Sequence, residues 1–323
     1  MKLAVGFITY NSATAIYLPY FLDSLFKALG AWSSEELRIL AIDNSDEADN
    51  HNQDYVEEFI NNNDALIDFS WSGANLGFSK SYNRMIQKAA SWGADFFLMI
   101  NPDTVIDPKA INLLVAALEA NSNLGSVTPK IKRWDFDKRQ LTNYLDSCGL
   151  VLGAGLQFSD LGQGELDKGQ YDQAEILGPS GAAALFRVSA LEAVKEATGY
   201  LDERFFMYKE DCDLAYRLSR ADYKSHLVKE ALIYHDRTVA VPGGGLKGRV
   251  RSRRSRSRKV RSWSFVNEHL LFFKHWSKQS FKDKILILLK TLKMFIWALI
   301  MEPFLLKDYK KINKLRRVPT SFS

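Results

Sequence analysis

Two acidic segments are the parts of this chain best suited to chemistry. Asn101-Pro102-Asp103 closes an apolar run of strand length, and Glu210-Asp211-Cys212-Asp213 opens a helix-like run much later, with His235 beyond it. A carboxylate at a strand end can hold a divalent ion against phosphate oxygens. A second carboxylate across a cleft can take a proton from an attacking hydroxyl. Together these are the two tasks in displacing a diphosphate by an alcohol, where the departing group gathers negative charge and the nucleophile must lose a proton.

Each candidate also has a plainer reading. Asn-Pro-Asp is equally a turn, since all three residues favour turns. Asp43 follows a buried-looking strand, where it can accept a hydrogen bond from a pyrimidine ring N–H or begin an Asx-turn in Asp43-Asn44-Ser45. Gly77, in Asn75-Leu76-Gly77-Phe78, lets backbone approach a ligand or permits a tight turn into a helix. Within Glu210 to Leu218, Asp213 and Arg217 are four apart and are expected to pair on the surface. Asp211 shares a helical face with Leu214, Ala215 and Leu218 and is expected to point inward, where partial desolvation suits a base. His235, beside Asp236, is a metal ligand, a donor to a diphosphate, or a structural histidine.

Elements must position these residues. Leu3–Ile8, Leu37–Ile42, Leu66–Phe69 and Phe96–Ile100 are apolar runs of strand length, separated by helix-period segments near 18–30, 52–62, 78–91 and 108–121, the last introduced by Asp107-Pro108. Strands alternating with helices predict an α/β fold with a largely parallel sheet covered on both faces. Ligands bind such sheets beyond the carboxyl ends of the strands, where Thr9-Tyr10-Asn11, Asp43-Asn44-Ser45 and Asn101-Pro102-Asp103 fall. Further on, Gly149 to Gly169 reads as hairpins and loops, Ala182–Phe186 as a buried strand and Asp211–Arg220 as a helix.

Composition narrows the class. A chain of 323 residues with 46% hydrophobic and 25% charged residues is globular. Two cysteines, Cys148 and Cys212, offer no disulfide framework or zinc pattern, which favours a reducing compartment. The N-terminal apolar run is too short for a signal peptide and reads as a first strand, so a cytoplasmic location is expected. Residues 1–246 carry 22 basic and 34 acidic side chains, leaving the remainder at +17. Nine of the fifteen residues from Lys247 to Arg261 are Lys or Arg, after the turn signal Pro242-Gly243-Gly244-Gly245. The expected divisions are a catalytic unit over 1–240 (halves 1–105 and 106–240), a basic flexible loop over 241–262 and amphipathic helices over 263–323. In Phe281–Leu306, lysines interrupt a run too short to span a bilayer, and Lys282, Lys290 and Lys293 share one stripe, which suits a helix lying in a membrane interface. The arginine-dense run also raises nucleic-acid binding as a competing class, although no base-reading module accompanies it.

With Thr9-Tyr10-Asn11, Asp43-Asn44-Ser45, Asn75-Leu76-Gly77-Phe78, Asn83, Asn101-Pro102-Asp103, Ser180-Gly181-Ala182-Ala183, Phe205-Phe206 and Glu210-Asp211-x-Asp213 in this order, the chain resembles family 2 glycosyltransferases, closest to the bacterial rhamnosyltransferase-like branch. The resemblance covers roughly 3–240. It implies a GT-A fold, a nucleotide-diphosphate-sugar donor, a divalent metal (Mg2+ or Mn2+) and inversion at the anomeric carbon. Carried onto this sequence, Thr9, Tyr10, Asn11, Asp43, Asn75, Gly77, Phe78, Asn83 and Asn101 would hold the nucleotide sugar. Asp103 and His235 would meet the metal, Asp211 would be the base with Glu210 beside it, and Ser180, Gly181 and Ala182 would wall the acceptor. The metal motif begins with asparagine where the family pattern often has aspartate, leaving one carboxylate for the ion. The expected donor is dTDP-L-rhamnose, with UDP-sugars as the alternative. The expected acceptor is a glycan or lipid-diphosphate-linked glycan at the inner face of the plasma membrane, in surface polysaccharide synthesis.

Overall fold

The computed structural model describes residues 1–30, 32–33, 35–47, 50–63, 65–237, 253 and 256–320. The first half alternates as its periodicity predicts: β1 (Leu3–Thr9), α1 (Asn11–Ala15), α2 (Leu18–Leu29), β2 (Leu37–Asp43), α3 (His51–Asn63), β3 (Ile67–Trp71), α4 (Gly77–Trp92), β4 (Phe96–Ile100), β5 (Thr104–Ile106) and α5 (Ala110–Ala120). Then come β6 (Leu124–Asp135), β7 (Gln140–Ser147), the hairpin β8 (Leu150–Gly153) and β9 (Gln157–Asp160), β10 (Ala183–Arg187), α6 (Val188–Ala193), α7 (Glu210–Arg220) and β11 (Lys224–His235).

Among the described residues one sheet runs β3-β2-β1-β4-β10-β6-β11-β5, with β7 pairing β6. The β3-β2-β1-β4 half is parallel, as expected. Its other half is mixed: β10 runs antiparallel to β4 and β6, while β11 is parallel to β6. The period of two along β1 sorts its side chains between two cores. Leu3, Val5 and Phe7 pack with α2, α3 and α5, while Ala4 faces the opposite layer of α4, α6 and α7. Register brings Thr9 level with Asp43, so two polar strand ends meet at one edge of the sheet.

Among the described residues three further helices follow: α8 (Arg258–His275), α9 (Phe281–Met301) and α10 (Asp308–Leu315). Ser257 caps α8 by accepting from the Val260 N–H, and Ser280 caps α9 by accepting from Asp283. Most of the predicted basic loop lies outside the described residues; its end, from Arg258, is already α8. Phe265, Leu270 and Leu271 of α8 share an apolar cluster with Phe205, so these helices pack directly on the segment that leads into α7. No described helix is long and apolar enough to cross a membrane.

Candidate active site

At the ends of β1 and β2, Asp43 is fully buried. Its carboxylate accepts from Thr9 Oγ1 (2.9 Å), Ser45 Oγ (2.7 Å) and Asn50 Nδ2 (2.8 Å). Of the two roles open to Asp43, contact to a pyrimidine ring N–H or an Asx-turn, the bonds from the Ser45 N–H and Oγ fit the turn. Its oxygens are taken up by protein donors, and it braces the surrounding loops. Asn11 adopts φ 46, a left-handed conformation asparagine tolerates, and its amide N–H donates to Ser45 Oγ (2.7 Å) while its Oδ1 accepts from the Asp46 N–H (3.1 Å). Tyr10 Oη donates to Asp46 (2.9 Å). Asn75 Oδ1 accepts from the Gly77 N–H (2.9 Å), forming the turn into α4. Thr9, Tyr10, Asn11, Asp43 and Asn75 therefore gather at one sheet edge.

Gly77 has φ 78, and a Cβ there would lie 2.5 Å from Phe206 O. The close approach this glycine allows is to the chain itself: the Phe78 N–H donates to that same oxygen (2.7 Å). Asn83 departs from its expected role more fully. It is buried, its Nδ2 donates to Leu201 O (2.8 Å), and its Oδ1 accepts from the Leu201 N–H (2.8 Å). Both ends of the amide are engaged in stapling a loop, so Asn83 is corrected from donor ligand to structural bracket.

Asp103 follows β4, an inner strand of the sheet, and is partly exposed. Its Oδ2 lies 3.3 Å from His235 Nε2, and its Oδ1 is buried with no hydrogen-bond partner among the described residues. His235 Nδ1 in turn meets Asp146 Oδ2 at 2.8 Å. Burial alone would lower His235, but the Asp103 and Asp146 carboxylates outweigh it and push the imidazole up to about 10. Arg237 spans Asp146 (3.2 Å) and Asp160 (3.0 Å), extending the chain of alternating charge. The Asp103 and Asp146 carboxylates favour a proton on each ring nitrogen, and a divalent cation that displaced the one on Nε2 would find a histidine oriented by a carboxylate on its far nitrogen, beside a carboxylate with an orphaned buried oxygen. Asp146 was missed by sequence reasoning; it lies in no motif and arrives only through the pairing of β7 with β6.

A second cluster, Glu196, Asp202 and Asp213, has ligand atoms within 4.8 Å of one another. Its centre is filled by protein. Lys274 Nζ lies 2.5, 2.9 and 2.8 Å from the three carboxylates, with Arg217 and His275 also on Asp213. This is an ammonium site, and the expected surface pair Asp213–Arg217 is a buried one. The reason is α8, which covers this side of α7 and supplies Lys274 and His275.

The three acids of α7 are therefore sorted differently from expectation. Glu210 and Asp213 are buried, whereas Asp211 retains partial exposure. Asp211 Oδ2 accepts from the Gly181 N–H (3.1 Å), and Oδ1 from the Cys212 N–H (2.8 Å). The neighbouring Ala182 O accepts from the Asn101 N–H (2.9 Å), so two consecutive residues tie Asp211 to the strand end that carries Asp103. Of the predicted acceptor wall, Ser180 and Ala182 are buried and Gly181 alone reaches solvent. Burial, reinforced by the charge of Asp211, raises Glu210 well above the ordinary carboxylate range. Asp211 is the acid with access, and Glu210 the one that favours its proton.

The glycosyl transferase family 2 model matches residues 5–195. N-acetylglucosaminyl-diphospho-decaprenol L-rhamnosyltransferases from two strains of Mycobacterium tuberculosis are each 28% identical over 198 residues, covering 51% of this chain and 57% of their own length. The chain thus spans less than two thirds of these relatives. Among solved structures, a mannosyltransferase from Pyrobaculum calidifontis in complex with GDP-Man and Mn2+ superposes with a TM-score of 0.52 at 13% identity, covering 96% of this chain and 73% of that one. GalNAc-T7 with UDP, GalNAc and Mn2+ gives 0.54 at 11% identity, covering 95% and 58%. At such identities the likeness is one of fold.

Proposed function

This chain belongs to glycosyl transferase family 2 and has a GT-A-like fold, and on that premise we propose that it is an inverting, metal-dependent rhamnosyltransferase using dTDP-L-rhamnose. The acceptor is a hydroxyl of a lipid-diphosphate-linked glycan in bacterial surface polysaccharide synthesis, at the inner face of the plasma membrane. The names of the Mycobacterium tuberculosis relatives support both the sugar and the class of acceptor.

The observation that carries the catalytic reading is the accessible carboxylate of Asp211, held by the Gly181 N–H beside the strand end that carries Asp103. Asp211 takes the acceptor's hydroxyl proton as its oxygen bonds to the anomeric carbon. The bond from that carbon to the diphosphate oxygen breaks on the opposite side, which inverts the configuration. Burial and the neighbouring Asp211 carboxylate make Glu210 favour its protonated form beside it. Asp103 and His235 are the residues that would hold a divalent cation, whose charge would neutralise the departing diphosphate. Thr9, Tyr10, Asn11 and Asn75 line the nucleoside end, with Asp43 orienting them from beneath. Asn101, Gly77 and Phe78 close the donor side, and Gly181 faces the acceptor.

Thermal denaturation with Mn2+ and a series of nucleotide sugars tests the donor. dTDP-L-rhamnose at a hundred times its Kd is expected to stabilise by about 2.7 kcal/mol; stabilisation by a UDP-sugar alone would replace it. Asp211→Asn is expected to lower transfer at least about 100-fold while preserving that stabilisation. Near-normal turnover by the variant would overturn the base assignment.

A further inference from the structure

Most apolar side chains of α9 face outward. Ile287 and Ala298 turn inward and are buried, while Phe281 (81% exposed), Leu288 (58%), Leu292 (54%), Ile296, Leu299 and Ile300 (68%) form one outer stripe. At 1.5 Å per residue this stripe runs about 30 Å along the surface. An apolar face of that length is far larger than the scattered exposure normal for a soluble surface. The inner side is firmly docked: the Gly155 N–H donates to Asp283 Oδ1 (2.8 Å), Lys290 pairs with Glu268 of α8, and Ile287 packs with Leu156, Phe272 and Tyr216 of α7. Lys290 thus leaves the polar stripe predicted for it.

The charge around the stripe is one-sided. Residues 281–317 contain ten Lys or Arg and three acids. All three acids are already engaged: Asp283 by Ser280 and Gly155, Glu302 by Arg253 and Arg261, and Asp308 by Ser262. Lys282 and Lys293 edge the stripe, and α10, whose Tyr309 packs against Phe295, exposes Lys310, Lys311 and Lys314. None of these five lysines has a carboxylate within ion-pair distance among the described residues. A second copy docked on this face would set lysine against lysine with no free acid between them. A surface both apolar and anionic matches it.

We propose that the outer face of α9 lies in the interface of an anionic phospholipid bilayer, with its apolar side chains at the acyl boundary and the lysines of α9 and α10 on headgroup phosphates. The helix lies along the membrane without crossing it. Tyr216 places α7, the helix that carries Asp211, one packing layer behind the lipid face. This reading gives a location to the proposed reaction but rests on α9 itself, and its test reads no sugar transfer, so either can fail alone.

Flotation of the full chain with phosphatidylcholine vesicles, with and without phosphatidylglycerol, tests it. Binding to the anionic vesicles is expected to be at least about tenfold stronger. The double substitution Leu292→Glu with Ile296→Glu is expected to weaken it at least about tenfold while the melting curve stays unchanged, because both positions are exposed. Lys282→Glu with Lys293→Glu, which leaves the apolar stripe intact, should also weaken binding and keeps the test informative if the first variant misfolds. Absence of binding to anionic vesicles, equal binding to neutral ones, binding that ignores both double variants, or a dimer that the apolar variant dissolves without any vesicle binding would each overturn the proposal.

Discussion

Neighbouring carboxylates on α7 are sorted by what surrounds them. Glu210, buried, favours its proton; Asp213, buried among cations, does not; Asp211, with a backbone N–H on each oxygen and partial exposure, is free to meet a substrate. The same logic makes Asp146 a positioning residue for His235. Burial would raise it, but the His235 hydrogen bond and the charges of His235 and Arg237 lower it overall. Asp146→Asn is expected to weaken Mn2+ binding by about 10–100-fold, the usual loss when a histidine's orienting partner is removed. Isothermal titration with Mn2+ checks this, and unchanged affinity would remove Asp146 from the site. Asp103 and His235 were legible as chemistry-bearing types in the sequence. Asp146 was not, because a lone aspartate in a strand looks the same wherever the strand goes.

At the level of elements, the site depends on one turn and one clamp. Gly77 opens α4 at φ 78 against Phe206 O, so Gly77→Ala adds left-handed strain of about 1–2 kcal/mol and pushes the 205–206 segment away. A lower urea midpoint together with reduced turnover is expected; a variant equal to wild type in both would show the turn to be slack. Following Phe206, Tyr208 and Lys209 both adopt left-handed conformations just before α7, and Asn267 Nδ2 of α8 donates to Met207 O and Tyr208 O (2.8 Å each). A helix far along the chain therefore holds the entry to the helix that carries Asp211. The first four strands and their helices were readable from apolar periodicity, since each is a local pattern. The mixed half of the sheet was not, because β6 and β11 owe their pairing to partners about a hundred residues apart.

Across the whole molecule, the Lys274 cluster joins the C-terminal helices to α7. Lys274→Met removes the ammonium shared by three carboxylates while Arg204 stays on Asp202 and Arg217 on Asp213, and is expected to destabilise the protein by about 3 kcal/mol, the low end for breaking a buried ion pair. Denaturant unfolding measures that loss. Burial would raise Asp202 and Asp213, yet Arg204 and Lys274 on the first, and Arg217 and Lys274 on the second, hold both below the ordinary range. A group depressed in the folded state stabilises above its unfolded value, about 3.9, and loses that contribution as pH falls through the folded value. The melting temperature is therefore expected to fall below about pH 4, with a shallower slope in Asp213→Asn; equal slopes would place the acid sensitivity elsewhere.

By itself the sequence determined the alternating elements, the polar residues at strand ends and the two acidic segments, because periodicity, turn chemistry and residue type are local properties. Tertiary structure alone decided which acid of α7 remains accessible, that Asn83 is a bracket, that Asp146 stands behind His235, and that the apolar side of α9 faces outward. These depend on what packs against each side chain, and burial and partners come from segments distant in the chain.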